Sequence, residues 1–237
     1  MYVSRKSRIA STSFIEGNAV ILGPTKIGGD TIIGLNVVIG YPRRRCILDS
    51  LGEVGESFIE KLDSISRGAV IGEKCIIRSN TIIYEDVVLG DNVETGHSVL
   101  IREESKIGGG TKIGTLAVID GYVEVGSNVS IQTGVYIPPK TVIGDNVFLG
   151  PYVTITNDKY PPSRRLEGVV IEENSVIGAG SVLIAGVRVG RNSVVGAGSV
   201  VTRDVPENSV VVGVPARLIG SRASYDEKRR AYEKGGV

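Results

Sequence analysis

Residues 68–120 read GAVIGEKCIIRSNTIIYEDVVLGDNVETGHSVLIREESKIGGGTKIGTLAVID, and an aliphatic residue returns in them at every sixth place: Ile71, Ile77, Ile83, Leu89, then Ile101, Ile107, Ile113 and Ile119. Thr95 fills the one slot that is not aliphatic. The spacing continues outward in both directions. Behind it lie Ile9, Ile15, Ile21, Ile27, Ile33 and Ile39, and Ile59 and Ile65 fall in phase just before Ile71. Ahead come Val125, Ile131, Ile137, Ile143, Leu149 and Ile155, and after an interruption Ile171, Ile177, Leu183, Val189, Val195 and Val201. An amphipathic helix spaces apolar residues by three and four. A strand has period two, so a step of six keeps a side chain on one face. Four places after the aliphatic slot a small or β-branched residue recurs, as at Thr31, Val37, Cys75, Thr81, Val87, Ser175, Ser181, Ser193 and Ser199. Gly, Asn and Asp, which accept left-handed turns, fill much of the space between.

The physical solution is a three-sided prism. Each hexad makes one short strand and one corner, three hexads make a coil, and coils stack by strand pairing about 4.8 Å apart. The slots predict nine or ten coils, with the aliphatic residue inside and the small residue at the corner. Composition agrees: 32 of the 237 residues are glycine and only 5% are aromatic, with no Trp. A formal charge of +1 gives no field that draws the chain to nucleic acid or to a membrane surface. The sequence has no apolar run long enough for a membrane helix and no secretory h-region at its start, so a cytoplasmic location is the expectation. Two cysteines, Cys46 and Cys75, and the single His97 leave no set for a disulfide framework or a zinc site, so no metal is expected.

The repeat breaks twice. Residues 41–58, YPRRRCILDSLGEVGESF, read as an excursion toward a neighbour or a substrate. Arg43, Arg44 and Arg45 suit either a phosphate contact or a solvated basic turn. Residues 156–170, TNDKYPPSRRLEGVV, carry two prolines among polar and basic residues and read as a functional loop of fixed shape. The β-helix is expected over 1–206, and 207–237 as a terminal cap with a short helix near Ser224–Lys234.

GAG occurs at Gly178–Ala179–Gly180 and again at Gly196–Ala197–Gly198, one coil apart, so the two corners stack on one edge. This pattern resembles the hexapeptide-repeat acyltransferases, an all-β family built as a left-handed parallel β-helix. The resemblance spans nearly the whole chain and alone supplies the handedness. It implies acetyl-CoA as co-substrate, held at the two GAG corners with Thr202, Arg203 and Arg217 near the phosphates, and a homotrimer with sites between subunits. Phe148–Pro162, FLGPYVTITNDKYPP, is similar to the corresponding segment of nucleotide-sugar N-acetyltransferases, with matches at Gln132, Gly150, Pro151, Thr156 and Asn157. Thr133 and Gly134 depart from the Asn-Asn of those relatives. The implied acceptor is a UDP- or dTDP-linked amino sugar, contacted by Gln132, Tyr136, Asp158, Lys159 and Tyr160.

A hydroxyl acceptor needs a general base near neutral pH, whereas a neutral amine does not. The second loop holds no histidine, which favours an amine oriented by Asn157. His97 remains the rival base for a sugar or small-alcohol O-acetyltransferase. It lies three coils and one face from position 157, about 16 Å along the axis, and suits equally a contact to the nucleotide end or a solvated corner. A non-catalytic scaffold is the third reading, against which stand the two loops and the paired GAG corners.

Overall fold

The computed structural model describes residues 1–50 and 57–235. Three parallel sheets of two-residue strands form the prism. Face one has ten strands, from Tyr2–Val3 to Val200–Val201. Face two has nine, from Arg8–Ile9 to Arg188–Val189, extended by a bridge from Val189 to Val205. Face three has eleven, beginning at Phe14–Ile15; its tenth, Ser209–Val212, is the last parallel one. The expected nine or ten coils are therefore present.

Register follows the slot pattern. Ile83 pairs with Ile101 and Ile101 with Ile119, so each inward side chain stacks on its equivalent one coil away. The stack is fully buried and aliphatic, each member contributing about 1.5–3 kcal/mol on leaving water. Thr95 is buried too, and its hydroxyl accepts from Arg78 N–H at 3.0 Å. The small corner residues are buried, and the hydroxyls of Ser175 and Ser181 are satisfied, whereas Ser105 Oγ is buried without a partner. Ser181 Oγ donates to the Gly196 carbonyl at 3.0 Å and Ser175 Oγ to that of Gly190 at 3.0 Å.

Between faces two and three, the third corner place is left-handed and held mostly by asparagine, at Asn92, Asn128, Asn146, Asn174, Asn192 and Asn208, with Asp30, Lys74 and Gly110 at the others. Asparagine tolerates this conformation, so this edge is regular scaffold.

Both interruptions leave the edge between faces one and two, five coils apart. The first is longer than the expected 41–58; residues 51–56 of it lie outside the described residues. It contains helix α1, Arg44–Asp49, and helix α2, Phe58–Ile65. Ile59 and Ile65 are thus helical and not repeat slots. A step of six also equals two helical steps of three, and the Ser57–Glu60 capping box starts a helix whose Leu62 is buried. The repeat resumes at Val70–Ile71.

The expected short terminal helix is present at Arg222–Glu233, but the cap is built differently from expectation. Ser209–Val212 belongs to the last coil, and Arg217–Ser221 folds back on it antiparallel. This hairpin closes the end. Helix α3, Arg222–Glu233, buries none of its residues. It is tied to the asparagine edge by Arg222 Nη1, which donates to the Asn174 carbonyl at 3.0 Å. Residues 236–237 lie outside the description. Among the described residues no helix is long and apolar enough to cross a membrane.

Candidate functional site

The edge between faces three and one carries both GAG corners and, further toward the N-terminus, His97. Continuity along it is direct: Leu116 N–H donates to the His97 carbonyl, Gly134 to Thr115, Tyr152 to Thr133, Gly180 to Pro151 and Gly198 to Ala179. Gly178 is a packing glycine, because a Cβ there would meet the Ala197 backbone nitrogen. Gly180 and Gly198 are different. Both have positive φ and open space where a Cβ would stand.

The middle residue of each corner decides what the edge can bind. At several other corners its N–H is taken by a side chain from the adjacent coil. Glu73 N–H donates to Asp91 at 2.8 Å, Ser127 to Asp145 at 2.7 Å and His97 to Thr115 Oγ1 at 3.2 Å. Alanine offers no acceptor, and the N–H groups of Ala179 and Ala197 have none among the described residues. Two free donors one coil apart, beside two open glycines, form a strip suited to carbonyl oxygens of an extended ligand.

Asn157 lies on the other side of face one, at the edge between faces one and two. Its Nδ2 donates to the Pro139 carbonyl at 3.4 Å, which fixes the amide, while Oδ1 has no protein partner among the described residues. Thr156 Oγ1 accepts from Ala185 N–H at 2.9 Å and anchors the loop's exit. Asp158 shapes the loop from within. It accepts from Ser163 N–H at 2.7 Å, Ser163 Oγ at 2.8 Å and Tyr160 N–H at 3.0 Å. The Ser163 N–H above all holds its carboxyl below the usual range. Lys159 and Tyr160 line a cavity of about 340 Å³ with Ser163, Arg165 and Glu167. The return of the chain passes Lys140, and a side chain at Gly168 would strike the Lys140 carbonyl.

Within one chain the expected site residues therefore divide. Gln132, His97 and the GAG corners share one edge; Asn157–Tyr160, Thr202 and Arg203 share the next. Tyr136 stands on face one between them, its hydroxyl donating to Asp120 at 2.9 Å. Burial and that carboxylate push its pKa up to about 12. Gln132 donates to Ser130 Oγ at 2.8 Å. Arg217 is exposed on the terminal hairpin. The His97 ring has no protein partner among the described residues. No group of three or more His, Cys, Asp or Glu among the described residues is placed to hold a metal.

The repeat is also recognised directly. Residues 68–103 and 122–157 match the family model of the bacterial transferase hexapeptide (six repeats), and 168–203 match the hexapeptide repeat of succinyl-transferase. These blocks are hexapeptide repeats like those of the bacterial acyltransferases. A 2,3,4,5-tetrahydropyridine-2,6-dicarboxylate N-acetyltransferase of Staphylococcus carnosus is 46% identical over 70 residues, which are 30% of this chain and 28% of that protein. This hexapeptide-repeat chain thus spans under a third of the curated relative it matches. The structure of a UDP-N-acetylglucosamine acyltransferase from Campylobacter jejuni superposes with a TM-score of 0.62 over 95% of this chain and 83% of that one, at 17% identity. That likeness establishes the shared hexapeptide-repeat fold.

One set of residues escaped sequence reasoning. On the edge between faces three and one the left-handed corner place passes from Asn18, Asn36 and Asn80 to Ser98, Leu116 and Tyr152, and on the edge between faces one and two from Asp86 to Glu104, Tyr122 and Lys140. Leu116, Tyr122 and Tyr152 are large and exposed there. Left-handed non-glycine backbone concentrates at functional positions. On the first of these edges the signal was present in the sequence as a column of Asn that stops after Asn80.

Proposed function

We propose that the chain is an acetyl-CoA-dependent N-acetyltransferase acting on the amino group of a nucleotide-linked amino sugar, and that it works as a homotrimer. The free corner amides of Ala179 and Ala197 carry this reading. The pantetheine arm of CoA contains two amide carbonyls, and an open strip of unpaired N–H groups is what such an arm needs. The name of the Staphylococcus relative supports nitrogen as the acceptor atom. Acetyl-CoA is used in the cytoplasm, which is where this reading locates the protein.

Face one supports the trimer. Its outward residues run Val20, Val38, Ile82, Leu100, Val118, Tyr136, Thr154, Val182 and Val200 with no charge among them, whereas face two interleaves Val70, Val88, Val142 and Val170 with Arg8, Lys26, Lys106, Glu124 and Arg188. A long apolar face marks an interaction surface. Three copies turning face one to a common axis set the GAG edge of each against the Asn157 edge of the next. The two half-sites, separated by a face within one chain, then meet between copies. Thr202 and Arg203 come to the same junction, beside the nucleotide end of CoA.

In that site Asn157 Oδ1 accepts an N–H of the neutral amine and directs its lone pair to the thioester. Nitrogen bonds to the carbonyl carbon, and a free corner N–H stabilises the oxygen as it gains charge. The C–S bond then breaks, and the proton released from nitrogen ends on the CoA sulfur. The test is thiol release from acetyl-CoA with UDP- and dTDP-linked 2-, 3- and 4-amino sugars. Release with at least one is expected; none across the panel overturns the reading.

A second reading rests on His97. Its unpartnered ring lies on the GAG edge itself, four coils from Ala179, about 19 Å away. A thioester extended that far would make His97 the base of an O-acetyltransferase.

A further inference from the structure

We propose that the cleft between helix α1 and the Tyr41–Tyr84 pair receives the heteroaromatic base of the acceptor's nucleotide. The inference rests on the nucleotide-linked acceptor proposed above and deepens it. The cleft holds about 230 Å³ and is lined by Tyr41, Tyr84, Arg102 and, from α1, Arg44, Ile47 and Leu48. This is below the ~300–1,000 Å³ of whole-ligand pockets, and it suits one planar ring with the rest of the molecule outside.

The walls have the matching chemistry. Tyr41 and Tyr84 pack with ring centroids 5.2 Å apart at 60°, and the Arg102 guanidinium lies 5.6 Å over Tyr84. Arg102 is pinned by Glu103 at 3.0 Å and Asp120 at 2.9 Å, so it is a fixed wall and not a free charge. Aromatic and guanidinium planes are the surfaces on which bases stack. Arg44 differs from Arg102: it has no ion-pair partner among the described residues and is exposed at the mouth, where a phosphate would follow the ring.

The roof is held rigidly. Arg43, immediately before α1, pairs with Glu85 at 2.9 Å, Asp86 at 2.6 Å and Glu104 at 3.1 Å. The cleft is thereby formed before any ligand arrives. The place also fits. Tyr84 and Asn157 follow strands of the same face and lie toward the same edge, four coils apart, about 19 Å along the axis. A ring, a ribose, two phosphates and a hexose laid along that edge lead from the cleft to the amide that orients the amine.

The test is calorimetric titration of the full chain with UDP, dTDP and GDP, none of which carries the sugar. At least one should bind, and Tyr84→Leu and Arg44→Glu should each weaken it about tenfold, the scale of one lost stacking or charged contact. Arg44 is exposed on its helix, so that variant does not depend on the core. Unchanged affinity in both variants overturns the cleft and leaves the acetyl-transfer reading standing. No binding of any of the three overturns the nucleotide-linked acceptor, and the cleft with it.

Discussion

Arg43 donates to the fully buried carboxylate of Glu85 twice, from its backbone N–H at 3.2 Å and from Nε at 2.9 Å. Glu85 also accepts from Arg67 N–H at 2.9 Å. One carboxylate therefore closes the base of the first insertion from both sides. Removing one partner of a buried pair strands the other, at about 3–5 kcal/mol. Arg43→Ala should destabilise the protein by roughly 3 kcal/mol, because it strands the buried Glu85, and Glu85→Ala by less, since the Arg43 left behind keeps some solvent and its pairs with Asp86 and Glu104. The double variant should cost less than the two single losses combined, because the pair acts as a unit. Chemical denaturation of the four proteins measures this; additive losses would show that the contacts are independent.

The prism was legible because its energetics are local and repeated. A single inward slot such as Ile101 reads the same in sequence and in space. The tip of the first insertion was not legible. Ile59 and Ile65 kept the phase of the repeat while belonging to a helix, and only the Ser57–Glu60 cap announced it. The three arginines were read as one group, yet Arg43 is sequestered by partners forty or more residues away, which no local pattern reveals. The GAG corners were legible as an edge. That Asn157 stands on the next edge follows from counting strands, but the proposed meeting of the two edges needs a second copy, which one chain's sequence does not encode locally.

Leu116 has φ +61° at a corner where its counterparts on the regular edge are mostly asparagine. A left-handed conformation costs a β-carbon residue on the order of 1 kcal/mol. Leu116→Asn should raise stability by up to about 1 kcal/mol, a shift of ~2–4 °C in Tm. If Leu116 serves the junction between copies, the same variant should lower turnover. A variant that is both more stable and fully active would identify the leucine as incidental.

Ala197 leaves the Ala179 N–H unpaired, whereas Asp91 and Asp145 occupy the equivalent amides elsewhere. Ala197→Asp should supply the missing acceptor, close the strip and set a carboxylate beside the CoA path. The expected result is a KM for acetyl-CoA raised about tenfold or more, the scale of one lost hydrogen bond to a buried-site carbonyl plus repulsion, with the fold intact by circular dichroism. An unchanged KM would move CoA to another edge.

The Asp158 carboxyl is held below the usual range by Ser163 N–H first and then by the Ser163 hydroxyl and Tyr160 N–H. Its folded pKa is depressed, so its contribution to loop order is complete above the unfolded value of about 3.9 and is lost as pH falls through the folded value. The loop should thus hold its shape at neutral pH and open only in acid. Asp158→Ala should open it at pH 7, seen as several-fold faster tryptic cleavage after Arg164 and Arg165. Equal cleavage of variant and parent would show that the prolines alone define the loop.

Asn157 and His97 compete for the chemistry, and the prism makes the contest decisive because they sit on different edges. Asn157 is oriented by the Pro139 carbonyl with Oδ1 left open, while the His97 ring has no second residue to fix its tautomer among the described residues. A base without an orienting partner is poorly prepared for general-base work. With an amine acceptor, Asn157→Ala should lower kcat by about 10²-fold, in line with loss of a positioning contact, and His97→Ala should change it little. The pH profile discriminates further. Amine attack needs the neutral acceptor, so rate should rise with pH until the acceptor amine is deprotonated, and His97→Ala should leave that limb in place. A base mechanism at His97 would instead make the limb depend on the imidazole and lose it in the variant. A larger loss on His97→Ala than on Asn157→Ala, with that limb abolished, would transfer the reaction to an oxygen acceptor.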